Sequence, residues 1–188
     1  MARMRIRTGV RNVAIAGVIV AALLMSGALS AHAATQVPTL ALLDVRFLND
    51  NQGYEPTTDA ERQRLAAMEK QFASAVSRSG KYEMKPVTDA VRGEIASGQP
   101  IGSCGGCEAS YGKKLQVDRV AWMTVQKVSN LILNMNLYVA DPATDKLTFL
   151  KSVDIRGNTD ESWSRSLKYL LDNYFLAPNA KADQKTDG

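Results

Sequence analysis

The sequence predicts a single α+β domain, a mixed sheet of about five strands with helices packed on it, in the element order βαβααβββα. Between residues 119 and 156, three consecutive segments alternate apolar and polar side chains with the strand period of two. The turn at residues 141–146 is so short that the strands on either side of it must be antiparallel. Helix-like and strand-like segments alternate before these strands, which favours helices lying on a mixed sheet.

A buried strand and a long helix open the predicted domain. Residues 40–47 are largely apolar, as expected of a central strand. Thr58 and Glu61 match a capping box, which predicts a helix that runs to about Arg78. Four apolar residues recur along one stripe of this helix: Leu65, Met68, Phe72 and Val76. We therefore expect the helix to pack on the sheet through this stripe.

A second strand and three further helices complete the predicted domain. The strand is expected over residues 81–87, and two short helices over residues 89–96 and 108–115. The final helix begins after Gly157. Its apolar stripe consists of Trp163, Leu167, Leu170, Leu171 and Tyr174. This spacing predicts that the final helix also packs on the sheet.

Residues 1–33 have the organisation of a secretory signal peptide and are expected to lie outside the fold. A basic segment precedes an apolar stretch from Val13 to Met25, which is too short for a spanning helix. Ala31-His32-Ala33 then forms a small-x-small cleavage site. We predict cleavage after Ala33 and export to the periplasm as a chain that does not span the membrane. The domain is expected over residues 34–176, and residues 177–188 are expected to be a disordered tail.

This cleavage changes the charge of the chain and removes its only histidine. The 23 basic residues of the full sequence become 19, equal to the 19 acidic residues, so the net charge falls from +4 to zero. Without a basic excess, nucleic-acid binding has no electrostatic basis. Without His32, the chain has no Ser-His-Asp or Cys-His mechanism and no imidazole for a metal. The sequence therefore predicts no catalytic residue, no cofactor and no metal site.

Cys104 and Cys107 are the only cysteines, and three interpretations stay open. In an oxidising compartment the simplest is a disulfide that pins its loop, with a contribution of only about 2 kcal/mol. The alternative is a redox pair with Cys104 as the attacking and Cys107 as the resolving sulfur, since a helix N-terminus favours the thiolate. Glu108 follows directly and opposes thiolate formation. Zinc needs two more soft ligands, which the exported chain does not supply as Cys or His.

Polar side chains follow one face of the last two predicted strands. They are Asn134, Asn136, Ser152, Asp154 and Arg156. Amide and charged groups on neighbouring strands can recognise a peptide or a polar ligand, which makes this a candidate binding face. The alternative is a solvated face whose charged groups pair with cross-strand neighbours, as open antiparallel sheets commonly show.

A polar and acidic cluster surrounds the start of the final helix. It consists of Asn158, Thr159, Asp160 and Glu161. Clustered acids suggest general acid–base or metal chemistry. Helix capping explains all four without such chemistry, because Asn158 or Thr159 can cap the helix and the two acids lie at the positive end of its dipole. Trp122 and Trp163 are expected to pack in the core.

Two blocks of the sequence, Val125–Asp141 and Ser152–Trp163, resemble a family of exported bacterial proteins described only as a domain of unknown function. The paired cysteines also fit that family. More loosely, the element order resembles the N-terminal domain of the periplasmic translocation protein TolB. It is also similar to the curli-secretion protein CsgG and to penicillin-binding-protein activators. These resemblances imply a periplasmic or envelope-associated binding module rather than an enzyme, although a fold alone does not fix function.

Three functional hypotheses follow. The first is a non-enzymatic periplasmic module that binds another envelope protein and contains a structural Cys104–Cys107 disulfide. The second is a periplasmic thiol–disulfide protein that uses the same cysteine pair. The third is an accessory role in a periplasmic oxidation system such as a quinoprotein dehydrogenase, which no residue pattern addresses directly.

Overall fold

The computed structural model describes residues 36–178, so the predicted signal peptide at residues 1–33 and residues 179–188 of the predicted tail lie outside the described part. The elements follow the predicted order. The strands are β1 (Thr39–Asn49), β2 (Glu83–Met84), β3 (Arg119–Lys127), β4 (Ile132–Asp141) and β5 (Lys146–Arg156). The helices are α1 (Asp59–Ser79), α2 (Asp89–Ser97), α3 (Cys107–Leu115) and α4 (Asp160–Leu170), which continues into a π-helical turn, Leu171–Phe175.

The five strands form one mixed sheet in the order β2-β1-β3-β4-β5. β1 is parallel to both of its neighbours, whereas β3, β4 and β5 are antiparallel, which confirms the predicted α+β class. β2 is only two residues long, shorter than the predicted segment 81–87. The backbone N–H groups of Glu83 and Lys85 donate to the chain at the start of β1, and the chain then leaves the sheet because α2 already has its N-cap at Thr88. A register shift between Leu42 and Asp44 marks a β-bulge in β1.

Helices α1 and α4 cover one face of the sheet, and the main hydrophobic core lies beneath them. Two predicted stripes supply its helical side, and their fully buried members include Phe72 and Val76 of α1 and Leu167 of α4. The strand side is formed by alternate residues of β3 and β4: Ala121, Met123, Val125, Leu133, Met135 and Leu137. Burying these side chains supplies the dominant favourable contribution to folding.

The apolar stripe of the last helix continues onto Phe175, which the α-helical period did not predict. The backbone N–H of Leu176 donates to the carbonyl of Leu171 over 2.7 Å, a bond that spans one residue more than an α-helical bond. This wider turn buries Phe175, while the predicted Tyr174 is only partly buried. Phe175 stacks against Phe72, with ring centroids 6.0 Å apart.

Helices α2 and α3 cover only part of the other sheet face. A second hydrophobic cluster lies beneath them and includes Ala41, Val91, Ile95, Tyr111, Val120 and Trp122. α3 approaches the β4–β5 turn closely, because a β-carbon added at Gly112 would lie 2.3 Å from Cγ of Pro142. The rest of this face, towards β5 and the carboxyl ends of β1 and β3, carries exposed and half-buried side chains.

Capping residues define the starts of both long helices. Thr58 and Glu61 form the predicted capping box of α1, and of the two predicted N-caps of α4 the structure uses Thr159. Among residues 36–178, no helix combines the length and the apolar character required to cross a membrane.

Candidate binding surface

The five polar residues predicted as a binding face do share one face of the sheet. The β4–β5 register places Asn134 opposite Asp154 and Asn136 opposite Ser152, and paired residues of a ladder project from the same face. Arg156 joins them because it lies two residues beyond Asp154 on the same strand. We call the exposed part of this face the open face; its members are Leu48, Ile132, Asn134, Asn136, Leu150, Ser152, Asp154 and Arg156.

Only some of the polar groups on the open face are paired with one another. The hydroxyl of Ser152 donates to the side-chain oxygen of Asn134 over 3.0 Å. The side chains of Asp154 and Arg156 have no hydrogen-bond or ion-pair partner within residues 36–178, although the backbone carbonyl of Asp154 accepts from Ser166. Their charges are therefore free for a ligand or for water. The interpretation as a solvated face expected them to pair with cross-strand neighbours instead.

Large aliphatic side chains are exposed on the same face. Ile132 is 61% exposed, Leu150 is 42% exposed and Leu48 is 40% exposed. Leu48 lies in register with Gln126 of β3, which in turn pairs with Asn134 of β4, so polar residues follow this aliphatic one across the sheet. This surface mixes apolar and polar contact groups.

A groove of about 500 Å³ lies between the open face and the loop that precedes α3. Strand residues including Thr124, Gln126 and Asn136 line it on one side, and the amide of Asn136 donates to the hydroxyl of Thr124 over 3.2 Å. The other lining residues come from residues 101–108 and from the start of β5. Because its charged lining residues are Glu108 and Asp145, we call this feature the acidic groove.

An aromatic pair also lines the acidic groove. The rings of Trp122 and Tyr138 stack with centroids 5.2 Å apart and planes 3° apart. Trp122 is 5% exposed, in agreement with its predicted core packing, and Tyr138 is half-buried. Gly102 has φ +85°, and a β-carbon there would lie 2.9 Å from the indole nitrogen of Trp122. A glycine therefore lets the loop approach the ring so closely.

Cys104 and Cys107 are joined in a disulfide at the start of α3, with Cys107 as the first helical residue. A carboxylate oxygen of Glu108 lies 3.1 Å from the sulfur of Cys104. A disulfide sulfur has no proton to donate, so this approach is a contact rather than a hydrogen bond. The two sulfurs and this oxygen lie within 4.8 Å of one another. Disulfide sulfurs are not thiolates, however, and the thiolate is the form in which cysteine binds metals.

The cluster at the start of α4 is held by structural contacts. Thr159 accepts from the backbone N–H of Ser162 as the N-cap. Asp160 pairs with Arg64 of α1 over 2.7 Å, and Glu161 pairs with Arg165 one turn further along α4 over 2.6 Å. Thr159 is one of the two N-caps that the capping interpretation named, whereas the ion pairs of Asp160 and Glu161 were not part of it.

The fourth residue of that cluster, Asn158, belongs to a buried ionic network that the sequence did not reveal. Glu61 and Lys127 are 0% and 2% exposed, and their side chains meet over 2.9 Å. Asn158 donates to the same carboxylate over 2.7 Å and accepts from the indole N–H of Trp163 over 3.0 Å. A second carboxylate, that of Glu55, lies 3.3 Å from Lys127.

Hydrogen bonds keep both members of this pair charged. Burial alone raises the pKa of Glu61, but hydrogen bonds from Thr58, Lys127 and Asn158 outweigh it and lower the pKa from 4.5 to about 2. Burial lowers the pKa of Lys127, and the carboxylates of Glu61 and Glu55 more than reverse this, so its pKa is raised. The only sequence cue was a lysine in the apolar alternation of β3, at the end of Ala121, Met123 and Val125.

Together, the fold and this surface define an α+β module with one covered sheet face and one partly open face. The chain belongs to the family described as "Protein of unknown function (DUF2380)", whose pattern matches residues 38–175. This match confirms the resemblance to a family of unknown function. No curated protein matches the sequence.

Three solved structures illustrate what the fold is similar to. Lipoprotein GNA1162 from Neisseria meningitidis is 19% identical, with a TM-score of 0.45 over 65% of this chain and 84% of that one. The LpoB C-terminal domain from Salmonella enterica is 10% identical, with a TM-score of 0.43 over 66% of this chain and 87% of that one. TolB from Acinetobacter baumannii is 12% identical, with a TM-score of 0.40 over 74% of this chain and 29% of that one.

Proposed function

We propose that this protein is a non-enzymatic periplasmic module that binds another envelope protein through its open face. The observation that carries the proposal is the exposure of Ile132, Leu150 and Leu48 among polar strand residues. Exposed aliphatic groups rimmed by polar ones are typical of interaction surfaces. Covering the part of one such side chain that is still exposed stabilises a complex by about 1–2 kcal/mol.

The polar members of the open face fit the same role. Asp154 and Arg156 lack partners within residues 36–178, so they can pair with charges on a bound protein without losing an internal bond. Charges at the rim of an interface select and orient the partner more than they raise affinity. The periplasmic location rests on the proposed cleavage after Ala33.

Site-specific photo-crosslinking in living cells tests this proposal. A photoreactive amino acid at Ile132 or at Leu150 is expected to give the same discrete cross-linked product, because both residues lie on the open face. The matched control is Lys70, an exposed residue of α1 on the opposite side of the sheet, where no such product is expected. Equal products from all three positions, or none from the first two, would argue against binding through the open face.

We also propose that the Cys104–Cys107 disulfide is structural. It fixes the loop that forms one wall of the acidic groove, and the Glu108 carboxylate beside Cys104 opposes the thiolate that a redox enzyme needs. Equilibration with defined glutathione ratios, followed by counting of alkylated thiols by mass, measures its reduction potential. A potential below about −300 mV is expected for a structural bond, whereas a value between about −120 and −230 mV would favour the thiol–disulfide alternative.

A further inference from the structure

The acidic groove has a charge that the rest of the described domain does not balance. Glu108 and Asp145 are its charged lining residues, and no lysine or arginine lines it. Neither carboxylate has a cationic partner within residues 36–178. Both lie near the start of α3, whose N-terminus carries only about half a positive charge. The two negative charges of these carboxylates exceed this partial positive charge, so the groove keeps a net negative charge.

A hydrogen-bond donor in the groove also lacks a protein partner. The indole N–H of Trp122 makes no hydrogen bond within residues 36–178, although this side chain is 5% exposed and lines the groove. An indole N–H is a donor only, and since no side-chain polar atom among residues 36–178 is both fully buried and without a partner, this N–H is open to the groove. The groove therefore offers a hydrogen-bond donor to a ligand that carries an acceptor such as a peptide carbonyl.

These features together point to a peptide with a basic side chain. Carboxylates accept from a cation, the Trp122 N–H donates to a carbonyl, and the half-buried ring of Tyr138 supplies an aromatic surface for a cation. We infer that the acidic groove binds an arginine side chain presented by an extended segment of the partner protein. This inference rests on the proposed binding function and names the chemistry of the partner.

Arginine fits this groove better than lysine. Its guanidinium is planar and carries five N–H donors, so it can donate to two carboxylates while lying on an aromatic ring. A lysine ammonium is a point charge with strong hydration, and it gains less from the ring. A peptide with arginine is therefore expected to bind more tightly than the same peptide with lysine, and a neutral glutamine peptide is expected not to bind.

The two tryptophans of the chain provide the readout for a titration followed by NMR. The probe is acetyl-Gly-Ala-Arg-Ala-Gly-amide, added to ¹⁵N-labelled protein purified from the periplasm. The indole signal of Trp122 is expected to shift, because its N–H is free and lines the groove. The indole signal of Trp163 serves as internal control, since its N–H is already bonded to Asn158 over 3.0 Å.

Charge-removing variants separate specific from general attraction. The double variant Glu108→Gln, Asp145→Asn is expected to weaken binding of the arginine peptide by about tenfold or more. The matched control Glu161→Gln, Asp172→Asn also removes one glutamate and one aspartate charge, but from α4 and the turn that follows it on the opposite side of the sheet, and it is expected to leave the affinity unchanged. An unmoved Trp122 signal, or an equal loss of affinity in the control, would overturn the inference.

Cross-linking and the peptide titration report separately on the open face and on the acidic groove. If cross-linking at Ile132 succeeds and the arginine peptide leaves the Trp122 signal unmoved, the open face binds a partner without an arginine in the groove. If the peptide binds and cross-linking fails, the groove stands as a site for basic segments, and the result argues against a protein partner at Ile132 and Leu150.

Discussion

At the scale of single residues, the buried Glu61–Lys127 pair makes the sharpest prediction for stability. Lys127→Met is expected to lower the free energy of unfolding by about 3–5 kcal/mol, because it leaves the Glu61 carboxylate buried without its cationic partner. Urea unfolding followed by tryptophan fluorescence measures this change. Lys85→Met removes the same group from the exposed pair with Glu83 and is expected to cost less than about 1 kcal/mol.

A second variant isolates the cost of the unpaired charge. Adding Glu61→Gln to Lys127→Met removes that charge while keeping an oxygen for the backbone N–H of Thr58. The double variant is expected to recover part of the lost stability. If it is less stable than Lys127→Met alone, the ionic pair is not what this region depends on.

The lowered pKa of Glu61 predicts how stability depends on pH. A carboxylate whose pKa is lower in the folded state contributes its full stabilisation above pH 4.5 and loses it as the pH falls towards about 2. The neighbouring Lys127 and Glu55 belong to the same network, and the raised pKa of Lys127 keeps it charged across this range. The wild-type free energy of unfolding is therefore expected to fall more steeply between pH 4.5 and 2 than that of Glu61→Gln. Parallel curves would contradict this prediction.

At the scale of elements, a pair of glycines tests how tightly α3 packs on the sheet. A β-carbon at Gly112 would lie 2.3 Å from Pro142 and 2.8 Å from Val120, so Gly112→Ala is expected to cost about 1–3 kcal/mol through overpacking. Gly93 of α2 has nothing within 4 Å of such a carbon, so Gly93→Ala is expected to stabilise the protein by up to about 1 kcal/mol through helix propensity. Thermal unfolding of both variants measures the contrast. Similar effects of the two substitutions would show that α3 does not approach the β4–β5 turn this closely.

The elements also show what local sequence patterns can and cannot predict. Strand alternation and helical stripes predicted the element order, because both patterns repeat within single segments. The π-helical turn that buries Phe175 was not predicted, since it depends on packing against Phe72 and Tyr82 from elsewhere in the chain. The short length of β2 has a local cause in the N-cap of α2 at Thr88, which draws the chain out of the sheet before the end of the predicted strand 81–87.

At the scale of the whole molecule, the candidate site depends on contacts between distant segments. The sequence predicted that Asn134, Asn136 and Ser152 share a face, because strand alternation fixes that directly. It could not predict that Glu108 and Asp145 would line one groove, since that requires α3 to dock beside the β4–β5 turn. The Glu61–Lys127 pair was missed for the same reason, because it joins the start of α1 to the end of β3.

The predicted cleavage after Ala33 determines the charge that the whole molecule presents to its partner. Removing four arginines and no acid takes the net charge from +4 to zero, so the isoelectric point is expected to fall from about 9.1 to near neutral. Intact mass and isoelectric focusing of protein recovered from the periplasm measure both changes. A mass that includes residues before Ala34 would contradict the prediction.

In the cleaved form no overall charge repels or attracts a basic segment, so the local field of the acidic groove alone steers it. We therefore expect binding of the arginine peptide to weaken as salt is raised, because ions screen that local field.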